Sequence, residues 1–280
     1  GVAATATSTA TVPAGQPSAT VTSTGVAATA TATVPAGQPS ATVTSTGVAA
    51  TATAGLPSAT ATVTATACPI HFTDVTDPTA YYYQGVYYLA CRGVVSGYSD
   101  GTYRPFNNTT RGQMAKIVVL ADGIPLVSPP AANRTFSDVT PDNVFYSVIE
   151  TAAAHSIVSG YSCGGINAQT GAAEPCDAAR RPYYRPSNFV TRAQLTKIVV
   201  IGAGWTLVSP PTPTFSDVAT GNVFYPFIET AVCRGIITGY DDHTFRPNNY
   251  AFRGQIAKIV YLAVTNPPPC AGGLAPDRIR

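Results

Sequence analysis

One twelve-residue segment occurs three times in this chain and limits what the chain can fold into. It reads TTRGQMAKIVVL at 109–120, VTRAQLTKIVVI at 190–201 and AFRGQIAKIVYL at 251–262. Each copy opens on Arg-x-Gln and continues with apolar residues three and four apart, the spacing of one helix face. Met114, Ile117, Val118 and Ala121 make that face in the first copy. Lys116, Lys197 and Lys258, the only lysines of the chain, lie off it. Thr110 and Gln113 have the spacing of a capping box: the hydroxyl accepts from the third helical N–H and the Gln side chain reaches back to the cap N–H. Thr191 and Gln194 repeat the pair. Phe252 stands where the third threonine would be, and the missing hydroxyl costs on the order of 1 kcal/mol. Cap and apolar face account for the whole segment except its arginine. Arg111, with its counterparts Arg192 and Arg253, is left without a structural task.

The repeat extends well beyond the twelve residues. Upstream of each copy stand an FTDV or FSDV element, an aromatic-rich stretch and a Gly-Tyr loop, GYSDGTYRP in the first copy and GYDDHTFRP in the third. Each copy reads as two helices around a loop. Phe224, Phe227, Ile228 and Ala231 fall at helical spacing in the third copy. Gly93 and Gly235 end the first helix, where a left-handed residue is commonly needed, and Ser156 holds that place in the second copy. Asp100-Gly101 makes the loop turn. A helix pair this small cannot bury its own apolar face, whereas three stacked around a shared axis can. The expectation is a mainly α, pseudo-threefold module of helix-loop-helix repeats at 68–125, 131–206 and 212–270, followed by a tail at 271–280. LVSPP joints at 126–130 and 207–211 separate the repeats.

Residues 1–67 are a different material, without a charged or aromatic residue. They repeat as well, with GVAATAT starting at positions 1, 25 and 47. Thr alternates with Ala or Val, a strand period, and PAGQPS interrupts with turn residues. Several readings stand together. The segment is an extended or β-strand-like stalk with O-linked sugars, for which Thr5, Thr7, Thr20, Thr29 and Thr42 are candidates. Its strands pair with each other or with a neighbouring subunit. Its composition is also that of a disordered linker. Fully extended it would span roughly 200 Å.

A net charge of +2 excludes a general nucleic-acid footprint. No apolar run is long enough to span a bilayer as a helix. No leader with a basic start and an apolar stretch is visible, as expected of a mature exported chain. Six cysteines without CxxC pairs favour disulfides and an oxidising compartment. Cys163 and Cys176 bracket the insertion CGGINAQTGAAEPC and pair on that ground. Cys91 and Cys233 hold equivalent places in two repeats, with Cys68 and Cys270 outside the array. Local pairs Cys68–Cys91 and Cys233–Cys270 are one reading, and buried free thiols at Cys91 and Cys233 the other. CPIH lacks a second ligand pair for zinc, and the loop acids fall short of a calcium site. With no nucleophile–base constellation and no phosphate loop, neither an enzyme nor a cofactor is expected. Asn107, Asn108 and Asn133 stand in N-x-Thr sequons, candidates for glycosylation.

Taken in order, FxDV, the aromatic helix, GY-x-DGT-aromatic-RP and the TRGQ or TRAQ helix start resemble the S-layer homology domain, whose usual set is three tandem copies. The resemblance covers roughly 72–265 and does not reach 1–67. It implies a three-pronged helical module that holds bacterial proteins on the cell surface by binding anionic wall polysaccharide in grooves between repeats. It assigns the anion contact to Arg111, Arg192 and Arg253, maps the FxDV acid onto Asp74, Asp138 and Asp217 as further candidates for glycan binding, and matches Gly97, Gly160 and Gly239 to the Gly-Tyr element. The chain departs from the family in three ways: Gln replaces Glu after TRA or TRG, the first-helix tryptophan is absent, and the third copy lacks the cap threonine.

Guanidinium forks suit carboxylate or phosphate on an acidic glycan, and they equally suit bracing of the loop. Arg104, Arg185 and Arg246 stand near Arg111, Arg192 and Arg253, one such pair in each repeat. The tyrosines of AYYYQGVYY read as sugar-stacking faces or as core and interface residues. Three functions follow. One is a secreted, non-enzymatic surface-layer or fibre subunit that assembles with copies of itself through the module and the N-terminal segment. A second is a wall anchor that binds acidic polysaccharide, with residues 1–67 as a glycosylated stalk. A third is the anchor region of a larger hydrolase. All place the chain outside a bacterial cell, at its surface.

Overall fold

The computed structural model describes residues 68–265 and 268–270 in full, together with the backbone of six strands nearer the N-terminus. The side chains of Thr5, Thr7, Thr20, Thr29 and Thr42, the turns expected in PAGQPS and the tail at 271–280 lie outside the described residues. The chain divides into two compact units, Gly1–His71 with Ala90–Gly93, and Phe72–Leu89 with Val94–Arg280.

In the first unit the strands are β1 (Thr5–Thr11), β2 (Ser18–Thr24), β3 (Ala27–Thr33), β4 (Ser40–Thr46), β5 (Ala50–Thr51) and β6 (Thr60–Ala65). β1 pairs β3 and β2 pairs β4, both parallel, with Thr7 opposite Thr29 and Thr20 opposite Thr42. The β2–β4 register sets identical residues of successive sequence copies side by side, Ser18 opposite Ser40 through Thr24 opposite Thr46. β6 runs antiparallel to β3 and β5.

The second unit is mainly helical. Its helices are α1 (Tyr83–Cys91), α2 (Arg111–Ala121), α3 (Tyr146–Ala154), α4 (Arg192–Gly202), α5 (Tyr225–Cys233) and α6 (Arg253–Val264). α2, α4 and α6 pack on one another about a pseudo-threefold axis, and α2 also packs on α3 and α4 on α5. Each inner helix therefore leans on the outer helix of the following repeat. α6 closes the circle on α1, where a side chain at Gly85 would meet the Ala257 carbonyl at 2.5 Å. Met114, Leu195 and Ile256, equivalent in the three copies, are fully buried. Ile228 and Ala231 of α5 are buried as the spacing predicts, while Phe224 and Phe227 are only half-buried, because Tyr225 takes the inward place.

The chain crosses the axis on a ring of three backbone hydrogen bonds. Thr109 N–H donates to Ala251 O (3.1 Å), Ala251 N–H to Val190 O (2.9 Å) and Val190 N–H to Thr109 O (2.9 Å). The ring leaves no free edge among its members, so each repeat's register depends on both others.

The capping boxes form at α2 and α4: Gln113 N–H meets Thr110 Oγ1 at 3.3 Å while Thr110 N–H meets Gln113 Oε1 at 3.0 Å, and Thr191 with Gln194 does the same. At α6 the Gln half survives, Phe252 N–H to Gln255 Oε1 at 3.1 Å, and the hydroxyl half is gone. Gly93 and Gly235 have φ of +69° and +68°, and Ser156 adopts +57° at the same place despite its Cβ. Disulfides join Cys68–Cys91, Cys163–Cys176 and Cys233–Cys270, so neither Cys91 nor Cys233 is a free thiol.

Candidate binding grooves

The local chemistry of each repeat first builds a rigid loop. Both carboxylate oxygens of Asp74 accept backbone N–H groups, from Tyr103 and Arg104, each at 2.7 Å. Asp138 holds Tyr184 and Arg185 in the same way, and Asp217 holds Phe245 and Arg246. Arg104, Arg185 and Arg246 sit at φ of about +60°, a region costly for a side-chain-bearing residue. The aspartate clamp is what fixes them there. The preceding aromatic of FxDV packs on the Gly of Gly-Tyr: a Cβ at Gly97, Gly160 or Gly239 would approach Phe72, Phe136 or Phe215 to 2.5, 2.9 or 2.2 Å. The residues mapped as FxDV acids and loop glycines thus shape the loop from within.

The three arginines of the repeated segment brace a loop, one of the two tasks the sequence left open for them, and the loop is the neighbouring repeat's. Their side chains are buried, and each runs from its own helix start into the loop of the next repeat. Nε of Arg111 donates to Tyr184 O, that of Arg192 to Phe245 O and that of Arg253 to Tyr103 O, all at 2.8 Å. The Arg111 and Arg253 terminal nitrogens also reach Ser159 O and Ser96 O, at 3.1 and 3.0 Å. The helix starts use the same loops: Arg111 N–H and Gly112 N–H donate to Asn188 O and Pro186 O, with equivalent pairs at α4 and α6. Orphan helix N–H groups are therefore satisfied by the neighbouring repeat.

Between repeats these parts leave grooves. One, of about 190 Å³, has Arg111, Tyr161, Gln194, Lys197 and Phe224 in its lining. The next, of about 290 Å³, has Tyr81, Arg192, Tyr240, Gln255 and Lys258 at the equivalent and adjoining places. No carboxylate lines either groove. Burial first, and then the neighbouring Arg192 charge, pulls the Lys258 ammonium below its ordinary pKa. Arg192 itself is lowered by burial. The lysines, off the apolar face, line these grooves beside the arginines.

The Gln that stands where the resembled family has Glu uses both ends of its amide. Gln194 Oε1 takes the cap N–H while Nε2 donates to the Tyr161 hydroxyl at 2.9 Å, and Gln255 reaches Tyr240 at 3.3 Å. Gln thus links helix cap to groove wall. Sequence reasoning missed the groove roles of this amide and of the Gly-Tyr tyrosine. The triple recurrence of Gln three residues before Lys was the available signal.

Of the remaining candidates, Asn107 is exposed with its carbonyl accepting Arg253 N–H at 2.9 Å, Asn108 is half-buried, and Asn133 is exposed on a short turn. The tyrosines divide: Tyr82, Tyr83, Tyr87 and Tyr88 are at least partly covered and Tyr81 lies open at a groove. Among the described residues there is no cluster suited to hold a metal ion, and no helix is long and apolar enough to cross a membrane.

The sequence model of the S-layer homology domain matches residues 71–115 and 214–257, with 131–206 outside both matches. Similar curated proteins include Cell surface glycoprotein 1 of Acetivibrio thermocellus, 25% identical over 187 residues, 63% of this chain and 7% of that protein. Middle cell wall protein of Brevibacillus brevis is 26% identical over 173 residues, 61% of this chain and 13% of its own length. Exoglucanase XynX of Acetivibrio thermocellus is 25% identical over 186 residues, 62% of this chain and 14% of its own length. The chain thus spans less than a sixth of the relatives it matches.

Proposed function

We propose that the helical module retains this chain on the outer surface of a bacterium by binding an acidic wall or surface polysaccharide in its inter-repeat grooves, and that it does no chemistry of its own. The middle repeat belongs to the same functional set as the two that match the family. The observation that carries this reading is the acid-free pairing of Arg192 with Lys258 in one groove and of Arg111 with Lys197 in the next. Cations that share a partly desolvated groove repel each other, and an incoming carboxylate or phosphate relieves that repulsion. Tyrosine and isoleucine beside them suit a sugar's C–H faces. The arginines brace the groove and lend it charge, while the lysines make the contact. The names of the similar proteins, a surface glycoprotein and a wall protein among them, agree with that location.

The test is co-sedimentation with purified envelope for Lys197→Ala, Lys258→Ala and the double variant. Binding should fall in each, more in the double, and weaken with added salt. Full retention by the double variant would count against the grooves.

A second reading, in which the N-terminal repeats join copies of the chain into a polymer, is favoured by one feature. β1 with β3 and β2 with β4 pair parallel, the second pair with identical residues abreast, a pattern that a second chain can continue. Polymers unchanged by deletion of 1–67, seen by electron microscopy, would sink it. Glycosylation at Asn107, Asn108, Asn133 and the N-terminal threonines belongs to the same proposal, and a mass spectrum of the native protein reads it directly.

A further inference from the structure

The middle repeat differs from the others at one place. Tyr98 to Arg104 and Tyr240 to Arg246 are short loops, whereas the Cys163–Cys176 insertion lies between Tyr161 and Arg185. In the short loops an aspartate four residues before the arginine meets the guanidinium, Asp100 with Arg104 at 2.8 Å and Asp242 with Arg246 at 2.9 Å. All four side chains are 42–52% exposed. In the middle repeat that position is Arg181, so the local carboxylate is gone.

The insertion supplies another one. It closes into a hairpin of β7 (Gly165–Ile166) and β8 (Ala173–Glu174). Glu174 grips Arg185 with both oxygens, at 2.8 Å to Nε and 2.6 Å to a terminal nitrogen, and its side chain is 4% exposed. The Arg185 guanidinium lies 3.8 Å from the centre of the Tyr161 ring, which also has Arg111 at 5.1 Å. The Tyr161 hydroxyl is the acceptor for Gln194. Tyr161, Arg111 and Gln194 all line the smaller groove. The hairpin has its own anchors: Asn167 and Asn188 exchange amide hydrogen bonds at 3.0 and 2.7 Å, and Gln169 pairs with the Phe189 backbone.

We propose that Glu174 is a positioning residue for this one groove: carried on the disulfide-closed insertion, it fixes Arg185 against Tyr161 and so presets the Tyr161–Gln194 wall. The larger groove takes no part in this control, because Arg246, which stacks on its Tyr240, is held by exposed Asp242 within the loop itself. Occupancy of a single groove thereby depends on an element that the neighbouring repeats lack. The effect on ligand rests on the anion-binding reading of the grooves, whereas the effect on Tyr161 and Gln194 does not.

The experiment is an NMR comparison of the isotope-labelled full chain with Glu174→Gln and with Cys163→Ser/Cys176→Ser, with trigalacturonate as the acidic probe. In both variants the Gln194 side-chain amide and the Tyr161 ring signals should move and broaden, while Gln255 and Tyr240 stay in place. Trigalacturonate affinity read at Gln194 and Lys197 should fall about fivefold, the worth of one lost hydrogen bond, with no change at Gln255 and Lys258. Gln194 and Tyr161 signals that match the unsubstituted chain in both variants would overturn the proposal. So would equal shifts in all grooves, since they mark a general loss of fold. If no groove of the unsubstituted chain responds to trigalacturonate, the anion reading falls while the Gln194 signal still decides the role of Glu174.

Discussion

Arg111 and Tyr184 hold each other at both ends: Nε of Arg111 donates to the Tyr184 carbonyl at 2.8 Å, and the Tyr184 hydroxyl donates back to the Arg111 carbonyl at 2.9 Å. The guanidinium lies 4.6 Å from the centre of the same ring. Arg253 and Tyr103 repeat the exchange at 2.8 and 3.2 Å. The residues most suggestive of a ligand contact thus stitch successive repeats together, and loss of binding on their removal would not distinguish a lost contact from a lost fold.

Arg111→Ala should therefore destabilise the module by about 2–4 kcal/mol, because it strands the buried carbonyl of Tyr184 and removes the bond to Ser159 O. Arg111→Lys should recover little, since an ammonium cannot reproduce the fork that reaches both carbonyls. Urea unfolding followed by circular dichroism measures both. Stability within about 0.5 kcal/mol of the unsubstituted chain, as for an ordinary surface change, would refute the bracing role.

Phe245 lacks the hydroxyl that Tyr103 and Tyr184 use, and Thr196 stands in for it, its Oγ1 donating to Arg192 O at 3.0 Å. Ala115 and Ala257 hold the place of Thr196 in the other copies. Tyr184→Phe should cost about 1 kcal/mol, and adding Ala115→Thr should restore more than half. A double-mutant cycle isolates the coupling. Additive losses would show that the two hydroxyls do not substitute for each other.

What was legible in the sequence was local. Thr110 and Gln113 lie three residues apart, so their cap could be read directly, as could the helix ends at Gly93 and Gly235. The arginine could not, because its partner Tyr184 is 73 positions away and the contact exists only once three repeats close a ring. Asp74 was hidden for the same reason: its partners are the backbone N–H groups of Tyr103 and Arg104, which no side-chain pattern advertises. The groove followed from neither pattern alone, since it lies between repeats.

Phe252 offers a change in the opposite direction. It occupies an N-cap with β-region backbone, φ −80° and ψ 151°, close to the values of Thr110 and Thr191. Phe252→Thr should complete the capping box with Gln255 and stabilise by up to about 1 kcal/mol. Differential scanning calorimetry would show a higher Tm. A lower Tm would mean that the aromatic ring contributes more at this half-exposed place than the cap does.

Alkaline pH provides a test through Tyr103 and Tyr184. Burial pushes both phenols up to about 12, against about 10 for a free tyrosine. A folded-state value above the unfolded one means that the native state favours the neutral phenol. Below pH 10 the phenol is neutral in both states and this contribution is fully present. It is lost as pH rises from about 10 through 12, because the unfolded chain releases the proton first. Stability should therefore fall across that window, and ultraviolet titration should show Tyr103 and Tyr184 among the tyrosines that ionise well after the exposed ones. Tyr103→Phe/Tyr184→Phe should be less stable at pH 7 yet lose less between pH 10 and 12. Equal slopes in the substituted and unsubstituted chains would show that other groups govern alkaline unfolding.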